Sequence, residues 1–356
     1  MPALSRVLSA RVPGRRWVVL LVSTGWLWAM PSQGQSTEPD TPDLTQTSRL
    51  LERARLATLG VQAVAVDQAR SAPTLGRLRS GSGVLISADG LVLTIGYLVL
   101  EADSVALQID GRRSVPARVL GYDVATGLGL LQALTPLPMA PVTLGRADAL
   151  RPQQALMVVS GGEDASVGVA SLHAQRPFSG YWEYHLDNAL VTTPPRPDHS
   201  GAGLFNERGE LVGIGSLLLA DTRERPDAEG ARQPGNLFVP ADLLPPILAE
   251  LTRDGRSAAS RRAWLGLNCV ERDGQVRVLR VTDDSPADVA GLQAGDLITR
   301  IDDTDVGTLA TLWKALWAGG PAERALMLHI LRDGQPMTLP VYSVDRQKTL
   351  RRAEGI

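Results

Sequence analysis

Residues 81–96 read GSGVLISADGLVLTIG, and this stretch decides the fold. Its apolar residues form two short runs, at 84–86 and 91–93, and the Asp89-Gly90 pair between them is typical of a hairpin turn. The pattern therefore predicts two antiparallel β-strands.

The same pattern of short apolar runs and turn residues continues on both sides of this hairpin. Upstream, residues 48–67 begin with helical spacing and pass into an alternating first strand, and residues 67–80 are predicted as a polar loop. Downstream, strands are predicted at 105–109, 114–120, 128–131, 155–160, 166–174, 181–190, 203–205, 211–219 and 236–240, and a helix at 241–251. Short strands with turn signals roughly every ten residues indicate an antiparallel barrel or sandwich.

The composition limits the kind of protein that this chain can be. With 356 residues the chain is long enough for two or three packed units. Its 36 Lys and Arg against 38 Asp and Glu give a formal net charge of −2, so no nucleic-acid partner is predicted. The single cysteine, Cys269, excludes an internal disulfide and a cysteine-rich zinc site, and neither a metal nor a cofactor is predicted.

Residues 1–34 are predicted as a signal peptide. Arg11, Arg15 and Arg16 precede an apolar run at 17–30, and residues 32–34 place small residues at the positions that a signal peptidase recognises. As a helix the run is roughly 21 Å long, shorter than the about 30 Å of bilayer hydrocarbon. An uncleaved membrane anchor is the alternative. In either case we expect a periplasmic or otherwise exported protein, with residues 35–47 as a polar, flexible leader.

A second unit begins after residues 252–262 (TRDGRSAASRR), which are predicted as a linker. The unit covers 263–344 and contains AGLQAGDLITRID at 290–302. A helix is predicted at 308–317, with a strand pair at 327–331 and 337–341. Residues 345–356 are predicted as a solvated tail.

Ser200 lies in a turn that carries the chemistry of the first unit. Residues 198–204 read DHSGAGL, and a strand follows them. Serine hydrolases present their nucleophilic serine on a tight turn of this kind. The alternative is that Ser200 is only a turn residue.

Four segments, taken in order, resemble the HtrA-type serine proteases: GSGVLISADGLVLT, GYDVATGLGLL, HSGAGLFNERGELVGIG and NLFVPADLLPPIL. The motif at 290–302 resembles a PDZ domain. The resemblance implies a mainly β fold, in which a chymotrypsin-like double β-barrel over 48–251 precedes an α/β PDZ domain over 263–344. It also implies a homo-oligomer, a trimer.

The resemblance places a catalytic triad on this chain, and only the serine is retained. In TIGYLV, Tyr97 occupies the position of the base histidine, and in GLGLL, Gly127 occupies the position of the acid. A tyrosine has a pKa of about 10 and is a poor base at neutral pH, while glycine has no carboxylate. Asp198 replaces the family's glycine two residues before Ser200, and we expect its charge to oppose an oxyanion there.

The candidates for a replacement base are the four histidines of the chain, His173, His185, His199 and His329. His199 is adjacent to Ser200 and is not expected to reach back to it, and His329 lies in the second unit. We interpret all four as surface or packing residues, with a metal site of His173, His185 and His199 as a minor alternative. Asp123 is interpreted as a turn residue rather than a displaced acid.

The PDZ-like unit is predicted to bind an extended or C-terminal peptide as an added strand. By resemblance, its peptide-binding residues are Leu265, Gly266 and Leu267 in the carboxylate-binding loop, with Leu312 and Leu316 facing the groove. Three alternatives stay open. Leu312 and Leu316 could be ordinary residues of the hydrophobic core. Trp313 and Trp317 could pack on the barrel, or the unit could be a structural or oligomerisation module with a closed groove.

These observations predict an HtrA-like pseudoprotease that binds peptides, protein C-termini or unfolded proteins. Its role would be that of a scaffold, a chaperone-like binder or a regulator of an active protease or envelope partner. One alternative is a serine endopeptidase of periplasmic protein quality control that uses Ser200 with a non-standard base. Another is assembly through the barrel alone.

Overall fold

The computed structural model describes residues 44–110, 113–223 and 232–351. The predicted signal peptide lies outside these residues, and so does the predicted leader up to residue 43. From Leu44 the leader is helical, because helix α1 covers Leu44–Leu56. Within the described ranges no helix has the length and apolar character needed to cross a membrane.

The first β-barrel closes through six strands in the order β1-β2-β3-β6-β5-β4. The strands are β1 Thr58–Ala65, β2 Leu78–Leu85, β3 Leu91–Ile95, β4 Ala102–Gln108, β5 Ser114–Tyr122 and β6 Leu128–Ala133. The predicted hairpin is confirmed, since β2 and β3 are antiparallel and Val84 lies opposite Leu93.

The second β-barrel closes in the order β10-β11-β12-β9-β8-β7. Its strands are β7 Ala155–Ser160, β8 Ser166–Ser179, β9 His185–Thr193, β10 Gly203–Phe205, β11 Leu211–Leu219 and β12 Gly235–Pro240. The predicted strand at 181–190 is wrong at its start, because β9 begins at His185 and residues 180–184 leave the barrel. One hydrophobic cluster includes Leu93 of the first barrel and Leu237 of the second, so the barrels share a core.

Short helical segments connect the strands: α2 Ala72–Leu75, α3 Gly96–Val99, α4 Leu248–Asp254, and 3₁₀ turns at Ala147–Ala149, Ala241–Leu243 and Ala258–Ser260. The region predicted as a loop at 67–80 therefore contains α2 and the start of β2. The helix predicted at 241–251 is split into a 3₁₀ turn and α4. Helix α4 extends into the predicted linker and ends at Gly255, whose φ of +73° is readily available only to glycine.

The second unit is a smaller α/β structure. Its main sheet has the order β14-β15-β16-β18-β19, with β17 paired to β16, and a short ladder joins β13 to β20. The bounds are β13 Ala263–Trp264, β14 Leu267–Arg272, β15 Gln275–Val281, α5 Pro286–Val289, β16 Leu297–Ile301, β17 Thr304–Asp305, α6 Leu309–Ala318, β18 Ala325–Arg332, β19 Gln335–Tyr342, β20 Val344–Asp345 and α7 Arg346–Thr349. Strand β14 is at the edge of the sheet. The predicted mainly β fold of a double barrel followed by an α/β unit is confirmed; the exact domain boundaries stay predictions.

The predicted linker is packed against the first barrel. The buried Asp123 carboxylate accepts hydrogen bonds from Ser257 Oγ at 2.5 Å and from the Ser260 hydroxyl. The same side chain accepts from the Thr126 N–H at 2.8 Å, so it also fixes its own turn.

The tail predicted at 345–356 is described only to residue 351, and over 345–351 the prediction of a solvated end is wrong. Helix α7 forms within it, and Gln347 Nε2 donates to the Tyr122 carbonyl at 3.0 Å. The Arg351 N–H donates to Glu101 Oε1 at 2.8 Å. Both contacts join residues 347–351 to the first barrel.

Candidate functional site

Ser200 is held between the two barrels by backbone contacts of its turn. Its carbonyl accepts from the Ser82 N–H at 2.8 Å, and the Gly201 N–H donates to the Gly215 carbonyl at 2.8 Å. A β-carbon on Gly201 would lie 2.0 Å from the Ser82 carbonyl, so only glycine fits beside the serine. The turn is therefore built to fix the Ser200 side chain at the interface of the barrels.

Tyr97 meets Ser200 from the first barrel. It lies in α3, directly after β3, and its hydroxyl is 2.8 Å from Ser200 Oγ and 2.9 Å from the Ser216 carbonyl oxygen. Burial raises the pKa of Tyr97 to about 12, and the hydrogen bond with Ser200 offsets this only in part. The phenol is therefore protonated at neutral pH, and it has no capacity there to take the proton of Ser200.

Gly127 lies directly before β6 and has a φ of +83°. Its carbonyl accepts from the Gly96 N–H at 2.7 Å, one residue before Tyr97. A β-carbon on Gly127 would lie 3.0 Å from the Tyr184 hydroxyl, which itself donates to the Thr126 carbonyl at 2.6 Å. The predicted acid position is thus close to the predicted base position, but a phenol fills the space beside it.

Asp198 directs its carboxylate toward β7 and β8. Its Oδ2 accepts from Ser160 Oγ at 2.6 Å, from Ser166 Oγ at 2.5 Å and from Arg196 at 2.6 Å. Burial alone would raise the pKa of Asp198, but these hydrogen bonds and the charge of Arg196 lower it to about 2. The guanidinium of Arg196 offsets the negative charge that we expected to act beside Ser200.

Three of the four histidines have partners other than Ser200. His185 contacts Ser179 Oγ at 2.8 Å through Nδ1 and Asp187 at 3.2 Å through Nε2. His199 Nδ1 lies 3.0 Å from the Arg196 carbonyl, and His329 Nδ1 lies 3.1 Å from Thr338 Oγ1.

No hydrogen bond among the described residues joins Ser200 to a histidine or a carboxylate. Across the same residues no three His, Cys, Asp or Glu side chains are grouped to hold a metal ion. The structure therefore does not bring His173, His185 and His199 together.

The loop before β14 holds a carboxylate of this chain. The N–H groups of Leu265, Gly266 and Leu267 donate to Glu183 Oε1 at 3.1, 2.8 and 3.0 Å. Gly266 has a φ of +87°, and a β-carbon on it would lie 2.3 Å from Ser285 Cβ, so the loop closes only with glycine. The sequence contained no signal for Glu183, because residues 181–190 have the composition of one continuous strand.

Leu312 and Leu316 are fully buried in the core of the second unit. Trp313 lies between them, and its Nε1 donates to the Gly180 carbonyl at 3.0 Å. Trp317 Nε1 instead donates to the Ala263 carbonyl at 3.2 Å. Of the two tryptophans, Trp313 is therefore the one bonded to a residue that follows β8 of the second barrel.

Comparisons with known proteins match both units. A family described as trypsin-like peptidase domain matches residues 81–214, and a family described as PDZ domain matches residues 263–342. A protein named probable periplasmic serine endoprotease DegP-like from Ectopseudomonas mendocina is 29% identical over 278 residues, which are 73% of this chain and 55% of that protein. A protein of the same name from a Marinomonas species is 29% identical over 279 residues, 73% of this chain and 56% of that protein. The chain thus spans about half the length of these curated relatives.

Solved structures match the fold. One described as HtrA-type protease AlgW with decapeptide has a TM-score of 0.51 and 21% identity, and the match covers 86% of this chain and 98% of that chain. Another, described as the serine endoprotease from Yersinia pestis, has a TM-score of 0.50 and 21% identity, and the match covers 84% of this chain and 97% of that chain.

Proposed function

Since the chain belongs to the HtrA-type family of trypsin-like serine proteases with a PDZ domain, we propose that it is an exported member that binds peptides rather than cutting them. In this proposal it binds protein C-termini or unfolded segments and serves as a scaffold, a chaperone-like binder or a regulator of an active protease. The observation that carries the proposal is the 2.8 Å contact between the Tyr97 hydroxyl and Ser200 Oγ.

The absence of a catalytic base beside Ser200 supports the proposal that the chain does not cut peptides. With a pKa of about 12, only about 10⁻⁵ of Tyr97 side chains are ionised at pH 7. In serine proteases, loss of the base alone lowers turnover by about 10⁶, roughly 8 kcal/mol of barrier. Gly127 has no side chain to supply the missing group, and no described histidine is hydrogen-bonded to Ser200.

The location and the assembly belong to the same proposal. Relatives named periplasmic and the predicted signal peptide at 1–34 support export. The homotrimer is supported only by resemblance to the family.

The binding half of the proposal is supported by the loop at 265–267. Its three N–H groups are arranged around a carboxylate oxygen, as in a site that captures a peptide C-terminus. The similar AlgW structure is described as holding a decapeptide, and we extend peptide binding to this chain as a proposal.

Proteolysis is tested by incubating purified residues 35–356 with casein, beside a Ser200→Ala variant. Equal absence of cleavage supports the proposal. Cleavage by the wild type that disappears in Ser200→Ala overturns it and favours the alternative of an endopeptidase with a non-standard base.

A further inference from the structure

We propose that residues 180–184 (GYWEY), which we call the internal ligand, occupy the peptide groove of the PDZ unit. A peptide with a free C-terminal carboxylate then binds only by displacing them. This inference rests on the binding half of the proposed function and is independent of any proteolysis. Three sets of contacts support it, and they match the contacts that a PDZ groove makes with a bound peptide.

The first set of contacts is to the carboxylate. Glu183 is 5% exposed, and its Oε1 accepts all three N–H groups of the loop at 265–267. Backbone N–H groups of this kind capture the terminal carboxylate of a bound peptide. A side-chain carboxylate satisfies them equally well, so a second carboxylate finds no free donor and meets a like charge.

The second set of contacts adds a strand. The Cys269 N–H donates to the Tyr181 carbonyl at 2.6 Å, and Trp182 pairs antiparallel with Asn268. The internal ligand thus lies along β14, the edge strand of the sheet, and runs toward the loop. An incoming peptide that adds as a strand needs this same edge.

The third set of contacts comes from α6, on the other side of the groove. Trp313 is fully buried, and its Nε1 donates to the Gly180 carbonyl at 3.0 Å. The next residue of the helix, Lys314, forms an ion pair of 2.8 Å through its Nζ with Asp187 of β9. The internal ligand is therefore enclosed between β14 and α6.

The consequence is a weakened affinity for any competing peptide. When a binding site is open in only a fraction of molecules, the apparent dissociation constant rises by the inverse of that fraction. An internal ligand on the same chain also has a high effective concentration, on the order of millimolar for short tethers. Removing the Glu183 carboxylate should therefore strengthen binding of an external C-terminus.

The test uses the full chain and a fluorescein-labelled peptide that ends in Gly-Tyr-Trp-Val with a free carboxylate, together with its amidated twin. Polarisation is measured with wild type, Glu183→Ala and the control Glu207→Ala, which removes an exposed glutamate of the second barrel. We expect Glu183→Ala to bind the free peptide at least about tenfold more tightly than wild type. Glu207→Ala should match wild type, and the amidated twin should bind poorly to all three. If wild type and Glu183→Ala both bind the free peptide and do so with equal affinity, the inference is overturned.

Hydrogen exchange distinguishes this inference from the binding proposal. In wild type the amides of 265–267 and of Cys269 should be protected, and rapid exchange there overturns the inference without any variant. In Glu183→Gln we expect faster exchange confined to these amides, with β16 still protected as a sign that the unit is folded. If that result appears but no protein binds the probe, the internal ligand stands and the binding half of the proposed function fails.

Discussion

Tyr184 fills the space beside Gly127, since a β-carbon on that glycine would lie 3.0 Å from the Tyr184 hydroxyl. The hydroxyl is held there by its bond to the Thr126 carbonyl. Gly127 also has a positive φ, which costs a residue with a side chain about 1–3 kcal/mol. An aspartate at this position is therefore disfavoured for two separate reasons.

We therefore expect that Tyr97→His combined with Gly127→Asp does not restore proteolysis. From the sequence we expected Asp198 to be the remaining obstacle, but Arg196 pairs with Asp198, and the Tyr184 hydroxyl crowds the acid position. The measurement is casein cleavage by the double variant, with Tyr97→His alone as the control. Robust, Ser200-dependent cleavage by the double variant would show that position 127 accommodates an aspartate in a working geometry, and cleavage by Tyr97→His alone would show that the acid is not required.

A second prediction concerns the stability that the Tyr97 phenol provides. Tyr97→Phe removes the contacts of the hydroxyl with Ser200 and with the Ser216 carbonyl, and it leaves that carbonyl without this donor. We expect a loss of about 1–2 kcal/mol in the free energy of unfolding, measured by urea denaturation at pH 7. The control is Tyr342→Phe, because Tyr342 is 62% exposed and should change stability little.

The pH dependence of the difference in unfolding free energy between wild type and Tyr97→Phe checks the pKa of Tyr97. The folded-state pKa of about 12 lies above the unfolded value of about 10, so the contribution of the phenol is complete below pH 10. It is lost as the pH rises through about 12. The stability difference between wild type and Tyr97→Phe should therefore shrink above pH 10, and a constant difference up to pH 12 would contradict the buried, protonated phenol.

The hairpin at 81–96 was predictable because strand pairing there follows from local residues. Two apolar runs around Asp89-Gly90 require only a turn and a shared core, and β2 and β3 form with Val84 opposite Leu93. The proximity of Tyr97 and Ser200 was also predictable, because the family resemblance assigns them to the base and nucleophile positions of one catalytic triad.

Glu183 could not be predicted, because its role depends on a contact between two units. Residues 181–190 have the composition of one strand, and only the packing of α6 and β14 against residues 180–184 shows that β9 begins at His185. The partners of Asp123 were missed for the same reason, since Ser257 and Ser260 lie more than a hundred residues away in a segment that reads as linker. Local pattern predicts strands and turns, but not which buried carboxylate a distant loop will bind.

A third prediction concerns Asp198 and acid. Its pKa of about 2 lies below the unfolded value of about 3.9, so its contribution to stability is complete above pH 4 and is lost as the pH falls through about 2. We expect Asp198→Asn to lose about 2 kcal/mol at pH 7 and progressively less between pH 4 and pH 2. Urea denaturation at several pH values measures this difference. Asp148→Asn is the matched control, because Asp148 pairs with Arg146 on the surface, where ion pairs contribute little.

The last prediction concerns the attachment of the PDZ unit. Asp123 is fully buried and accepts from the Thr126 N–H and from the hydroxyls of Ser257 and Ser260, which lie in the segment between the barrels and the PDZ unit. Asp123→Ala leaves these donors unpaired, and we expect a loss of about 2–4 kcal/mol in the free energy of unfolding.

Limited trypsin digestion provides the second measurement for this variant, because arginines at 256, 261 and 262 flank the contact. If Asp123 holds the segment against the barrel, cleavage at these arginines should accelerate in Asp123→Ala well before global unfolding. Asp148→Ala serves as the control and should digest like wild type. Uniform acceleration at all arginines would instead mean that Asp123 stabilises the barrel alone, and unchanged digestion would mean that the segment is held by the Arg256–Asp345 ion pair and its neighbours.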